Sequence, residues 1–205
     1  MNLCRRNMMW KRKECRRQRT DMYRKSQGKI EICVGMFFCI LIVLVVIFQG
    51  KLLQYQVVGA FVEDSLAASN LASAVVDIRE YGKTHNILLQ SPEDAFYRYR
   101  EALIHNLHLN SDLSSVNEEV LCGKVDILSY QVFNVIENRV IVYRFGEDGS
   151  LLGTETVSLE QAYLPDGNKV ETTSIYSKVG FYVMGLGGER IYATKEKTVD
   201  VKGEG

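Results

Sequence analysis

The stretch ICVGMFFCILIVLVVIF, from Ile32 to Phe48, determines how the rest of the chain is interpreted. Its seventeen residues include no polar side chain. As an α-helix they would extend about 26 Å, close to the roughly 30 Å hydrocarbon core of a bilayer. Lys29 and Lys51 flank the stretch where their ammonium groups can reach the lipid headgroups. The sequence therefore predicts a transmembrane helix over residues 32–50.

Two other interpretations of this stretch are possible. A helix buried in a soluble core is usually apolar on one face, whereas this stretch is apolar on every face. A cleaved signal peptide has an apolar region of about 7–15 residues followed by a small-residue cleavage site. Here Phe48 is followed by Gln49, Gly50 and Lys51, without an Ala-x-Ala pattern. We therefore expect an uncleaved membrane anchor.

Charge is distributed very unevenly on the two sides of the predicted span. The 205 residues have a formal net charge of zero, yet residues 1–31 carry +8 and residues 51–205 carry −8. Cationic segments next to a span stay on the cytoplasmic side. The N-terminus is thus predicted to be cytoplasmic, and residues 51–205 to be extracytoplasmic.

The basic leader, residues 1–31, has anionic membrane lipid as its expected partner. Nucleic acid is the rival partner, since the leader is rich in arginine and contains Trp10 and Tyr23. No nucleic-acid-binding fold is recognisable there, and its position beside a span already explains the charge, so we predict no nucleic acid. In the predicted exported part, Cys122 is the only cysteine, and no internal disulfide is expected.

Residues 51–82 are predicted to continue as an extracytoplasmic stalk helix. They contain no proline, and Gly82 is placed to cap the end. Two rows at helical spacing can be distinguished. One row is mildly apolar and small: Val58, Val62, Ser65, Ser69, Ala72 and Val76. The other alternates steps of four and three, as in a helix-packing seam: Val57, Phe61, Asp64, Ala68, Leu71, Val75 and Ile78. We predict that Phe61, Asp64, Ala68, Leu71 and Val75 form a helix-packing site, either against the chain's own domain or against other copies.

Residues 83–205 are predicted to form an extracytoplasmic α+β domain. Ser91 and Pro92 start a second helix that ends near Leu107. Alternating β-branched and aromatic residues then predict about five antiparallel strands, with the boundaries Val125–Ile136, Arg139–Phe145, Ser150–Leu159, Ile175–Met184 and Glu189–Val201. The fold class is therefore α+β: a long transmembrane-plus-stalk helix, a second helix and an antiparallel sheet.

Few residues of this chain suggest catalysis. His105 and His108 share a helix face but lack a third metal ligand, and the run Gly185–Gly188 lacks the helix and the Lys-Ser/Thr pair of a phosphate loop. No nucleophile–base or zinc-hydrolase motif is present. We predict no catalytic residue, no metal and no cofactor, and favour a binding or structural role over an enzyme.

The order of these features resembles pilin-like proteins: a basic leader, Gly28-Lys29-Ile30-Glu31, one apolar span, a continuing helix and a small β domain. Within that group the chain is most similar to TadE/TadF-type pseudopilins of Flp (tight adherence) pilus assembly. The resemblance implies that a prepilin peptidase cuts between Gly28 and Lys29. It also implies that Glu31 pairs with a neighbouring subunit, although Glu31 would be the third mature residue and the family has its glutamate at the fifth.

The predicted function is that of a bacterial cell-membrane pseudopilin. It would assemble with other pilin-like or secretion-machinery proteins through lateral helix packing. The alternative is a membrane-anchored domain that binds a ligand or a partner in the cell envelope, and a membrane-tethered enzyme comes third.

Overall fold

The structure, a computed structural model, describes residues 3–118 and 120–202, and it describes side chains from residue 32 onward. The chain divides into two compact units, Met1–Leu53 and Gln54–Gly205. Helix α1, Leu3–Ser73, passes through the boundary between them. Every side chain from Ile32 to Gly50 is exposed, as expected for a segment that meets lipid rather than protein.

Within the described residues, one helical segment is long and apolar enough to cross a membrane. It covers Ile32–Ser73 and contains an 18-residue window with a mean hydropathy of 3.0, none of which is buried. This length and composition are compatible with a single-pass membrane protein, which agrees with the sequence prediction.

Two further helices precede the sheet. Helix α2 covers Ile78–Thr84, and helix α3 covers Pro92–Asn106. The N-terminus of α3 is as predicted: the Ser91 side chain accepts a hydrogen bond from the Asp94 amide, and Pro92 occupies the first turn. Phe96, Tyr99 and Leu103 lie buried on one face of this helix.

The sheet has five antiparallel strands in the order β3-β2-β1-β4-β5. Their bounds are β1 Cys122–Ile136, β2 Arg139–Phe145, β3 Leu151–Ser158, β4 Ser174–Met184 and β5 Arg190–Asp200. The first strand is therefore central, and one hairpin extends from it on each side. The predicted α+β fold and all five strands are confirmed, and β1 starts three residues earlier than predicted.

A hydrophobic core covers each face of the sheet, because consecutive strand residues point to opposite sides. On the first face, Val132 and Tyr130 belong to the main core, to which Val62 and Leu66 of α1 and Phe96 of α3 also contribute. On the second face, a smaller core joins strand residues to the segment that connects β3 and β4: Phe133, Val140, Val142, Ala162, Leu164, Val170 and Tyr176.

The predicted extent of the stalk helix, residues 51–82, is wrong at its C-terminal end. Helix α1 ends at Ser73, because the next residues pair with the strand-like segment near Leu89. The Asp77 amide donates to the Leu88 carbonyl at 2.8 Å, and the Gln90 amide donates to the Val75 carbonyl at 3.0 Å. Gly82 lies inside α2 and caps nothing; His85, with φ 60°, is the C-cap of that helix.

Candidate helix-packing site

The part of α1 that belongs to the second unit has two different faces. The face toward the sheet is buried and combines apolar with small polar residues: Val58, Val62, Ser65, Leu66, Ser69, Asn70 and Ser73. The four polar members are at most 6% exposed. Serine side chains are short, so the helix backbone can approach the domain closely at these positions.

Three of the four buried polar residues of this face, Ser69, Asn70 and Ser73, are hydrogen-bonded to the domain. Ser69 accepts a hydrogen bond from the Asn106 amide nitrogen Nδ2 of α3 at 3.1 Å. Asn70 donates from Nδ2 to the backbone carbonyl of Lys197 in β5 at 3.0 Å. A buried polar group without a partner is costly, so these bonds specify the depth and rotation at which the helix docks.

A hydroxyl pair extends this network into the centre of the sheet. Tyr130 donates from its hydroxyl to Ser73 Oγ at 2.9 Å, and Ser73 Oγ in turn donates to the Asn70 carbonyl at 2.7 Å. Burial raises the pKa of the Tyr130 hydroxyl well above its ordinary value. Tyr130 therefore remains neutral and acts as a structural donor.

An ionic contact fastens the same helix to β5. Glu63 lies 2.8 Å from Lys197 Nζ and 3.4 Å from Lys195 Nζ. The hydrogen bond from Lys197, followed by that from Lys195, holds the pKa of Glu63 below its ordinary value. Gly59 makes room for this contact, because a Cβ there would lie 3.3 Å from Cε of Lys195.

The predicted packing seam lies mostly on the opposite, exposed face of α1. Asp64, Ala68 and Leu71 are exposed, and Leu71 has 59% of its surface accessible. Phe61 is half-buried and packs against the edge of the main core. Val75, 37% exposed, falls beyond the end of the helix. The chain's own domain therefore covers four members of the small-residue row, and most of the seam is left uncovered in the single chain: the covered members are Val58, Val62, Ser65 and Ser69.

Three predicted site residues lie outside the side chains that the structure describes. They are Gly28 and Lys29, the predicted processing site, and Glu31, the predicted assembly residue. Processing at Gly28 and pairing of Glu31 remain predictions.

The contacts of α1 with β5 were missed by sequence reasoning. Lys195 and Lys197 alternate with Thr194 and Glu196 along β5, a pattern that places both lysines on one face of the strand. Glu63 lies on a predicted helix with no obvious partner in the sequence. The alternation of the lysines was visible in the sequence. Their pairing with Glu63 was not, because Glu63 and Lys197 are 134 residues apart.

A cavity of about 370 Å³ lies on the second face of the sheet. Its lining includes the apolar residues Phe133, Val142 and Val157 and the polar residues Arg144, Glu155 and Tyr163. Arg144 and Glu155 form an ion pair at 2.8 Å across neighbouring strands. The cavity thus offers an apolar surface bordered by a paired cation and anion.

Within residues 32–118 and 120–202, no group of three or more His, Cys, Asp or Glu side chains is arranged to hold a metal ion. Comparisons with protein families, with characterised proteins and with solved structures found no match to this chain.

Proposed function

We propose that this chain is a single-pass membrane protein of the pseudopilin type, which takes part in assembling a pilus or secretion filament. The N-terminal leader is cytoplasmic, and the α+β domain lies outside a bacterial cell membrane. The observation that carries the proposal is the division of α1 into two faces. One face binds the chain's own domain, and the other leaves Val57, Ala68 and Leu71 exposed.

An exposed apolar helix row outside a membrane suits lateral packing on another helix. Val57 and Leu71 are 67% and 59% exposed, and covering such side chains removes apolar area from water. Ala68 between them permits close approach of a second backbone. The exposed seam is thus an apolar surface of the kind that a neighbouring pilin-like helix would cover.

Asp64 gives this row its specificity in the proposed assembly. It is exposed in the single chain, where water solvates the carboxylate. Covered by a neighbouring helix, the same carboxylate would be strongly disfavoured unless it met a cation. Asp64 therefore selects for a partner helix that carries Lys or Arg at the facing position.

The charge asymmetry supports the proposed orientation. Residues 1–31 carry +8 and precede the span, which matches the rule that Lys and Arg stay cytoplasmic. Glu31 would lie at the inner edge of the bilayer, where a carboxylate needs a cation or a terminal amine as partner. We propose packing rather than catalysis as the mode of action.

Mass measurement of the N-terminus in the native host tests the pilin class. A mature chain that begins at Lys29 is the expected result, because peptidase processing after Gly28 is the defining step of that class. An intact Met1 in assembled material would contradict the assignment.

Substitution of an exposed residue of the seam tests lateral packing itself. Leu71→Arg should strongly reduce filament assembly while the domain stays folded, because an exposed side chain contributes little to the fold. Gln56→Arg, also exposed on α1 but outside the row, is the matched control and should assemble normally. Normal assembly of both Leu71→Arg and Glu31→Ala would refute assembly through helices.

The cavity on the second sheet face favours a second candidate function, a membrane-anchored binding domain. Tyr163 is 62% exposed at this cavity and is available to contact a ligand. Under this candidate, Tyr163→Ala should abolish capture of an envelope partner by the tagged full-length protein, and Leu71→Arg should leave that capture unchanged. The opposite pattern supports the pseudopilin.

A further inference from the structure

The β3 edge, residues 153–158, is an open strand edge. Strand β3 pairs with β2 on one side, and no other strand among the described residues pairs with it. From Gly153 to Ser158 its register with β2 is regular, and a bulge interrupts the register just before Gly153. Alternate backbone N–H and C=O groups of this six-residue stretch point outward without a strand partner.

Charges do not protect the β3 edge. Its sequence, GTETVS, contains no lysine, arginine or proline. Its one charged residue, Glu155, is already paired with Arg144 of β2 at 2.8 Å. Exposed edges are usually blocked by lysine, proline or a covering element. Residues 153–158 contain neither lysine nor proline, and no further strand among the described residues pairs with them.

We propose that the β3 edge pairs in antiparallel fashion with the β3 edge of a second copy of this chain, across a two-fold axis at Thr156. In this register Thr154 lies opposite Ser158 of the second copy, and Glu155 lies opposite Val157. The two sheets become one continuous ten-stranded sheet. The interaction surface is isologous, as expected for a dimer with two-fold symmetry.

The residues of the edge favour this register over axes at Glu155 and at Thr154. An axis at Glu155 would place the two carboxylates directly opposite each other, which is unfavourable. An axis at Thr154 would need Leu152, which lies in the bulge, to join the ladder. An axis at Thr156 uses only the regular stretch, sets two threonines face to face and keeps each Glu155 beside its own Arg144.

Charge complementarity favours a second copy over a foreign strand of strong charge. Arg144 neutralises Glu155, so the edge has no net charge to attract a basic or an acidic peptide. It matches a strand that is equally neutral and rich in threonine, which the second copy supplies. This pairing is independent of the lateral helix packing proposed above, since it uses neither α1 nor the membrane span.

Cysteine cross-linking in the full-length membrane-embedded protein tests the register. The parent variant keeps the buried Cys122 and replaces Cys4, Cys15, Cys33 and Cys39 with alanine. Directly opposed residues in antiparallel strands have Cα atoms about 4.5–5.5 Å apart, within the range of a disulfide. Residue 154 lies about 14 Å from its symmetry mate in this register, which is too far for a disulfide.

The expected result is a disulfide dimer of Thr156→Cys, with about tenfold less dimer for Thr154→Cys. A mixture of Thr154→Cys and Ser158→Cys chains should also cross-link. Thr194→Cys, exposed on the other edge strand, is the control for random collision and should remain monomeric.

Three outcomes would overturn the proposal. The first is no dimer of Thr156→Cys, and the second is equal dimer formation by Thr156→Cys and Thr194→Cys. The third is a disulfide that joins the Thr156→Cys chain to a different protein in place of the homodimer, which would identify a foreign strand as the occupant. None of these outcomes depends on whether the protein assembles into a filament.

Discussion

Strands β3 and β5 are the two outermost strands of one sheet, and they differ in their contacts with helix α1. Beside β5 lies α1, which donates from Asn70 to the Lys197 carbonyl and pairs Glu63 with Lys195 and Lys197. Strand β3 makes no such contact with α1 among the described residues. The single charged residue of β3, Glu155, forms an ion pair with Arg144 of β2. The chain therefore fastens one outer strand to its own helix, whereas β3 has no such contact among the described residues.

This difference connects the two surfaces for which we propose a role in assembly. Because one face of α1 is buried against the chain's own domain, only its opposite face can contact other helices. Because no described strand pairs with the outer side of β3, we expect contacts between domains at that end of the sheet. Variants of α1 and of β3 should therefore have separable effects, and their cost in stability should decrease from the buried face of α1 to the β3 edge.

The largest effect is expected from Leu66→Ala, on the buried face of α1. Leu66 is fully buried in the main core, so its truncation should lower the free energy of unfolding by about 2–5 kcal/mol. The measurement is a urea titration of the full chain in detergent, followed by the near-ultraviolet circular dichroism of the buried tyrosines. Leu71→Ala on the exposed face is the matched control and should change stability by less than about 0.5 kcal/mol.

Asn70→Ala should have the next largest effect, because it removes the hydrogen bond to the Lys197 carbonyl. We expect a loss of about 1–2 kcal/mol. The loss stays moderate because the substitution also removes Oδ1 of Asn70, a buried atom that has no hydrogen-bond partner among the described residues. Hydrogen exchange at the β5 amides should accelerate, while exchange in β2 should not. Equal acceleration in both strands would show that α1 stabilises the whole sheet rather than one edge.

Glu63→Gln tests the ionic contact between α1 and β5. The free energy of unfolding should fall by less than about 1 kcal/mol, because the side chains of Glu63, Lys195 and Lys197 are all more than one-third exposed. The folded-state pKa of Glu63 is below its ordinary value. The ionised Glu63 carboxylate therefore stabilises the fold at pH values above its pKa in the unfolded chain. This stabilisation is lost as the pH falls through its lower pKa in the folded state. Urea midpoints of wild type and variant should differ at neutral pH and converge in acid. Glu101→Gln, on the exposed surface of α3, is the control and should show no such convergence.

The smallest effect on stability, within about 0.5 kcal/mol, is expected from Thr156→Lys on the β3 edge. Two lysines face to face would repel, so the variant should be monomeric by sedimentation in detergent where the wild type is dimeric. Thr194→Lys on β5 should leave the dimer intact. A dimer that survives Thr156→Lys but is lost in Thr194→Lys would reverse the comparison of the two edges.

Local patterns were sufficient to predict most of the fold. The alternation of Arg139–Phe145 gave β2 its observed bounds, and Ser91-Pro92 gave the start of α3. These features depend on nearest neighbours, turns and caps, which the sequence displays directly. The end of α1 did not follow from local patterns, because pairing of residues 75–77 with residues 88–90 overrides the helix propensity of the stretch that follows Ser73.

The candidate site was predicted as a pattern but not as a contact. Periodicity identified two rows on α1, and the more apolar row was the obvious choice for packing. The domain instead buries the part of the smaller row that contains Ser65 and Ser69, together with Asn70, which belongs to neither row. The side chains of Ser69 and Asn70 hydrogen-bond to Asn106 and Lys197. Which row is buried depends on those distant partners, and no spacing within the helix contains that information.

The long separation between α1 and β5 has a consequence for biosynthesis. Asn70 and its acceptor at Lys197 are 127 residues apart. At about 5–20 residues per second, the helix is made roughly 6–25 s before the strand that it covers. During that interval Asn70 and Glu63 have no β5 to dock against, so this part of the helix is accessible to chaperones, proteases and neighbouring helices. A chain that stops before Arg190 lacks the Lys197 carbonyl, so Asn70 would stay without this acceptor.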